Sequence, residues 1–169
     1  MTTRHAVLEQ TPIGPLTLVA DGEELVGVYM ETHQHAPAAN DFGERVDGDP
    51  VLSTVAQQLR EYFAGEREEF DLPVRPAGTE FQQRVWRALR EIPYGQTWSY
   101  GELAQHIGSP TASRAVGLAN GRNPISIVIP CHRVIGANGS MTGYGGGIHR
   151  KQWLLAHEKA VEDPQQQLF

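Results

Sequence analysis

The chain carries one cysteine, Cys131, which stands between Pro130 and His132 at the end of an apolar run. A free thiol titrates near 8.5, so only a few per cent is thiolate at neutral pH, and a thiol nucleophile needs a base. His132 is the nearest base in sequence. An imidazole in that role needs a carboxylate to orient it, and Glu158 is the best placed. A plainer reading stands beside this one. A lone cysteine also packs as a small hydrophobe, and neighbouring side chains on a strand point to opposite faces. The position after a proline at the end of a buried run favours chemistry, because it suits a group fixed at the floor of a pocket. One cysteine excludes an internal disulfide and any multi-cysteine zinc site, and the seven histidines show no zinc-protease spacing. No metal and no cofactor is expected. His33 and His35, in a polar stretch, read as solvated surface residues.

The elements that must position Cys131 come mostly from the second half of the chain. Thr79-Glu80-Phe81-Gln82 fits a capping box, followed by Phe81, Val85, Ala88, Leu89 and Ile92 on one stripe until Pro93. Ser99-Tyr100-Gly101-Glu102 is a second capping box, opening a short helix that carries Leu103 and Ile107 and closes at Gly108. Ser109 is expected to cap the next helix, with Pro110 at its first position. That helix should run to about Asn120, burying Ala112, Ala115, Val116 and Ala119 and leaving Arg114 outside. Two short helices joined by a tight glycine turn form a helix-turn-helix, which is either a DNA-binding unit or an αα-hairpin used for packing. Residues 125–129 are a β-branched run leading into Cys131, residues 136–147 a glycine-rich loop, and residues 148–159 a last amphipathic helix facing Trp153, Leu154 and Leu155 inward.

The first half reads differently. Residues 5–10, 16–20 and 25–30 are strand-like and separated by turn signals at Pro12 to Pro15 and Asp21-Gly22. Residues 31–48 lack periodicity and read as a loop. Asp49 caps a helix with Pro50 at its first position and Leu52, Val55, Leu59 and Phe63 on one face, ended by Gly65. The expected fold is therefore α+β. A small N-terminal domain (1–76) holds a three-stranded antiparallel sheet plus helix, and a mostly helical C-terminal domain (77–169) holds the two short helices, as a helix-turn-helix, winged-helix-like, or as a packing hairpin.

The net charge of −6 argues against a polyanionic partner until its distribution is read. Residues 1–79 hold 5 basic and 14 acidic side chains, whereas residues 80–150 hold 7 basic and 3 acidic. Such asymmetry is a reason to suspect that the second half meets a polyanion. The longest apolar stretch, 125–130, is far too short for a bilayer, and Glu9, Pro12 and Pro15 interrupt any signal sequence. A cytoplasmic protein is expected.

Ile-Pro-Cys131-His132-Arg133-Val134-Ile135 resembles the active-site signature of the O6-alkylguanine-DNA alkyltransferases. The resemblance extends through Phe81 to Trp86, Ile92-Pro93-Tyr94-Gly95, Ser99-Tyr100, Ala112 to Gly117, Asn123-Pro124, Gly143-Tyr144 and Leu154-Leu155-Ala156-His157-Glu158. It is strong over residues 79–159 and looser around Thr11 to Leu16. It implies direct, single-turnover repair, in which Cys131 takes the alkyl group from O6-alkylguanine, and from O4-alkylthymine, in double-stranded DNA. His132, through a water, and Glu158 would draw off the thiol proton, and Asn123 would brace the turn into the site. Tyr100 would press on the phosphate of the target nucleotide and assist protonation at guanine N3. Arg114 would occupy the space of the flipped base, with Ala115, Gly117 and Arg122 beside it on the DNA. The carbonyls of Cys131 and Val134, with Tyr144, the Gly145 amide and Ser126, would line the guanine pocket. The helix-turn-helix would lie in the minor groove, and the protein would be a monomer. Without the resemblance, Tyr100 reads as a half-buried helix aromatic and Tyr144 as a loop anchor. Arg114 reads as a solvated residue, and Glu158 as a partner of Lys151 or Lys159. Two departures stand out. The N-terminal half has no cysteine for the zinc that some members bind, and Ser126 replaces a proline that some carry in the pocket wall. Non-catalytic alkyltransferase-like proteins, the alternative within this resemblance, lack the cysteine that this chain has. A helix-turn-helix regulator would show sequence preference and no covalent chemistry.

Overall fold

Local hydrogen bonding accounts for most element boundaries in the computed structural model, which describes residues 3–31, 39–139, 144 and 146–160. The chain divides into two compact units, one of residues 1–77 with 124–128, the other of residues 78–123 with 129–169. Residues 124–128, adjacent in sequence to the Cys131 signature, thus fold with the first unit.

In that unit, β1 (Thr3–Leu8), β2 (Leu16–Asp21) and β3 (Glu24–Met30) form an antiparallel meander. Gly22 turns β2 into β3 with φ of 61°, a conformation that costs a residue without Cβ little. The segment expected as a loop contains a 3-10 turn, Ala39–Phe42, and a two-residue strand β4 (Glu44–Arg45) parallel to β1, giving the sheet order β3-β2-β1-β4. His33 and His35 lie outside the described residues. Helix α1 (Pro50–Phe63) starts where Asp49 accepts a hydrogen bond from the Leu52 amide at 3.0 Å, and Arg4 pairs with the same carboxylate. Leu52, Val55 and Leu59 are buried as their spacing requires, but Tyr62 and not Phe63 completes the buried face. The Val28 amide donates to Pro124 O at 2.9 Å, tying residues 124–128 to β3.

The second unit is built on α2 (Glu80–Leu89), α3 (Tyr100–His106), α4 (Ser113–Gly121) and α5 (Ile148–His157). Both expected capping boxes form: Thr79 with Gln82 and Ser99 with Glu102 satisfy each other's backbone donors. A two-stranded parallel sheet joins β5 (Trp98–Ser99) to β6 (Val134–Ile135), completing a winged-helix-like arrangement in which α3 and α4 pack on each other and on α2. Val85, Leu89, Leu103, Val116, Leu154 and Leu155 form its fully buried core. The Trp86 indole donates to Ala119 O at 2.8 Å and so fixes α4 from beneath.

One boundary differs from expectation. Helix α4 begins at Ser113, because Ser109 uses its carbonyl in a turn with the Ala112 amide at 2.9 Å and Pro110 lies inside that turn. The helix consequently faces otherwise than its apolar pattern suggests: Ala115 is exposed, Ala112 is partly so, and Val116, Ala119 and Asn120 are buried. Trp153 is half-buried and stacks on His157. No helix among the described residues is long and apolar enough to cross a membrane.

Candidate active site

Cys131 opens a 3-10 turn, Cys131–Arg133, which its neighbours tighten: the Cys131 amide donates to Ile129 O at 2.8 Å and the Arg133 amide to Pro130 O at 3.0 Å. The thiol is buried, with 3% of the residue exposed. Burial pushes its pKa up. A hydrogen bond from Asn123, the charge of Lys151 and nearby backbone donors work against that rise without overcoming it. The resting group is therefore a neutral thiol.

His132 is fully buried, and its Nε2 lies 2.8 Å from Glu158 Oε2. Desolvation pushes the imidazole pKa down, against the pull of Glu158. Burial also disfavours the Glu158 carboxylate, yet His132 and Arg133 outweigh it and hold the carboxyl well below its usual range. An ionised Glu158 can only accept a hydrogen bond, so the His132 proton resides on Nε2 and Nδ1 presents its lone pair. That Nδ1 has no hydrogen-bond partner among the described residues.

Glu158 stands at the C-cap of α5, just past His157. Gly95, with φ of 81°, faces its backbone; a Cβ there would sit 3.1 Å from Glu158 O, tighter than such contacts normally allow. The Glu158 carboxylate is held most fully by a residue that sequence reasoning passed over. Arg133 Nε donates to Oε1 at 2.8 Å and Nη2 to Oε2 at 3.1 Å, while Nη1 donates to Ile92 O at 2.8 Å. The guanidinium also lies over the Tyr94 ring, 5.7 Å from its centroid. The signal was present: an arginine inside an otherwise apolar run must find a buried partner. Lys151, offered as a plain partner of Glu158, is fully buried and donates from Nζ to Val134 O at 2.5 Å. Desolvation lowers its pKa to about 8, with the Cys131 charge pulling the other way.

Two asparagines brace the turn. Asn123 Nδ2 donates to Ile129 O at 2.8 Å, and Asn120 Nδ2 to Cys131 O at 3.3 Å. Tyr100, the first residue of α3, is half-buried, and its ring lies 3.6 Å from where a Cβ on Gly117 would stand. Burial first, and the charge of Cys131 second, push its phenol pKa up. Arg114, Ala115, Leu118 and Arg122 are exposed on and just past α4, Leu118 by 67%. Val134 and Tyr144 are buried in the second unit; Ser126 is buried in the segment that folds with the first; Gly145 and Gly143 lie outside the described residues. Among the described residues no cluster of histidine, cysteine and carboxylate side chains could hold a metal ion.

A buried thiol stands next in sequence to a carboxylate-oriented imidazole, in a unit whose α3 and α4 pack on each other as a helix-turn-helix. Residues 80–160 match the model of the DNA-binding domain of 6-O-methylguanine DNA methyltransferase, and residues 4–76 match its ribonuclease-like domain. The methylated-DNA--protein-cysteine methyltransferase of Mycobacterium bovis is 54% identical over 151 residues, covering 89% of each chain. Its namesake in Methanosarcina acetivorans is 50% identical over 155 residues, covering 91% of this chain and 97% of that one. The crystal structure of Mycobacterium tuberculosis OGT in complex with DNA superposes with a TM-score of 0.85 at 51% identity, covering 93% of both chains. The chain belongs to the 6-O-methylguanine DNA methyltransferase family.

Proposed function

We propose that this protein repairs alkylated DNA by transferring the alkyl group from O6 of guanine, and from O4 of thymine, to Cys131, once per molecule. The observation that carries the reading is the buried His132–Glu158 pair of 2.8 Å, adjoining the only thiol in the chain. In the reaction the Cys131 sulfur bonds to the alkyl carbon as the carbon–O6 bond breaks. The thiol proton passes, through a water, to His132 Nδ1, and the departing guanine takes up a proton, with Tyr100 assisting at N3. The product is a thioether, which no hydrolytic step reverses, so each molecule acts once. A neutral resting thiol suits this order, because the proton leaves only when a substrate receives the electron pair. Ionised Glu158, braced by Arg133, stabilises the imidazolium formed on the way.

The alkyl carbon of a stacked base is out of reach of a thiol this deep, so the nucleotide must leave the helix, at a cost of a few kcal/mol. Arg114 projects from the exposed face of α4 and fills the gap, while Ala115, Gly117 and Arg122 lie along the DNA. Exposed Ala115 and half-buried Gly117 on α4 suit an approach through the minor groove, where little sequence is read. The carbonyls of Cys131 and Val134, with Tyr144, line the base pocket. The chemistry belongs to the second unit, residues 78–123 with 129–169, of a monomer working in the cytoplasm. Incubation with O6-methylguanine duplex followed by intact mass measurement tests this. One methyl group should appear on Cys131, stopping at one equivalent, and Cys131→Ser should bind DNA without gaining it. Repeated turnover, or transfer by the serine variant, would contradict the mechanism, since a hydroxyl is far harder to deprotonate than a thiol.

A further inference from the structure

Leu118, on α4, is 67% exposed, and Ile148 is the only other exposed large apolar side chain among the described residues. A single surface leucine is ordinary; the setting of this one is not. Four residues to either side, about one helical turn away, stand Arg114 and Arg122, both exposed, so the three side chains form one ridge. Arg4, Arg45, Arg67 and Arg75 of the first unit each meet a carboxylate. Arg114 and Arg122 meet none among the described residues. An apolar side chain between two uncompensated cations fits a surface with anionic edges and apolar walls. The minor groove of duplex DNA is such a surface, with phosphates along both edges and sugar C–H groups on its walls, and apolar side chains do enter it. A second copy of this chain would set like charges against each other.

We propose that Leu118 determines a flanking-base preference: it enters the minor groove beside the lesion and disfavours guanine 2-amino groups in the neighbouring base pairs. The inference rests on the alkyl-transfer reading above and deepens it. On the minor-groove floor an A·T pair presents only acceptors, whereas a G·C pair adds the 2-amino donor of guanine. That amino group stands out from the floor into the space a leucine side chain would fill. Covered by methyl groups, its free N–H would lose water and gain no acceptor, which is costly. The reach follows from the helix. Four residues rise about 6 Å, and base pairs repeat about every 3.4 Å. Leu118 therefore meets the groove within about two base pairs of the gap that Arg114 fills.

The test is a competition in one tube between two duplexes bearing O6-methylguanine at the same place. One has G·C pairs at the two steps on either side; in the other, hypoxanthine replaces each of those guanines and removes only the 2-amino group. With protein limiting, the ratio of the two repaired products does not depend on how much protein is folded. Losing the amino group also weakens each pair and eases extrusion, but Leu118→Ala shares that effect, so the reading is the change in ratio between the two proteins. Alanine is the better helix former and removes a side chain that lies mostly in solvent, so the variant keeps α4. The native protein should favour the hypoxanthine duplex about threefold to tenfold more than Leu118→Ala does, the scale of one unmatched neutral hydrogen-bonding group. Equal ratios, or a stronger bias in the variant, would overturn the proposal and leave Leu118 a plain surface residue. Failure of the native protein to place a methyl group on Cys131 from either duplex would instead overturn the proposed function.

Discussion

Arg133 and Glu158, 25 residues apart, form a two-pronged ion pair of 2.8 and 3.1 Å in a buried setting, and His132 shares the second of those carboxylate oxygens. One carboxylate thus serves a cation that holds it ionised and an imidazole that it orients. Glu158→Gln should separate these functions. An amide keeps the shape but leaves Arg133 uncompensated and no longer dictates the His132 tautomer. Transfer should slow by about 10²-fold or more, the usual worth of a positioned base. Removing one partner of a buried pair should cost about 3–5 kcal/mol of stability. Single-turnover rates and thermal unfolding check both; a variant as stable and as fast as the native protein would show that the pair is idle.

Lys151 supplies a pH signature. Its folded pKa of about 8 lies below the ordinary lysine value, so burial disfavours the charged form and the folded state bears a cost wherever Lys151 is charged. Between about 8 and the unfolded value near 10.4 the unfolded chain binds the extra proton, so this group makes stability rise with pH there. Lys151→Met should therefore raise the unfolding temperature most below pH 8, and the gain over the native protein should shrink above it. Transfer should slow in the variant, because the Cys131 thiolate loses a neighbouring positive charge. Unfolding scans of the two proteins from pH 6 to 10 measure this; a difference independent of pH would refute it.

Arg114 and His132 should separate base extrusion from chemistry. Arg114 is exposed on α4, so Arg114→Ala should slow repair of duplex DNA severely and spare attack on free O6-benzylguanine, which needs no stack held open. His132→Ala should slow both reactions, because both need the thiolate. Tyr100→Phe should fall between them, keeping ring bulk and losing help at N3. The readout is a pair of single-turnover rates per variant. Equal slowing of both substrates by Arg114→Ala would reassign that residue to the fold.

Binding to undamaged duplex should weaken steeply with salt and depend little on sequence, since residues 80–150 hold the excess of basic side chains. Titrations at several salt concentrations check this. A preference of several kcal/mol for one undamaged sequence would favour a regulator.

Sequence alone determined what is decided within a few residues. The capping boxes at Thr79 and Ser99, the Asp49 cap of α1 and the turn at Gly22 each close between groups at most three residues apart, so residue type and spacing suffice. The Cys131-His132 pair was legible as neighbours in sequence, whereas Glu158, 26 residues from His132, was legible only as a candidate carboxylate on the last helix. Tertiary structure alone decided which long-range partner satisfies each buried polar group. Arg133 meets Glu158, Lys151 meets Val134 O, and Asn120 meets Cys131 O, across intervals of 25, 17 and 11 residues. It also decided that residues 124–128 fold with the first unit and that Ala115 faces outward. The physical reason is that a buried donor or charge must be matched, yet the demand does not name its partner. Several acceptors of equal chemistry exist along the chain, and only packing selects the one within reach.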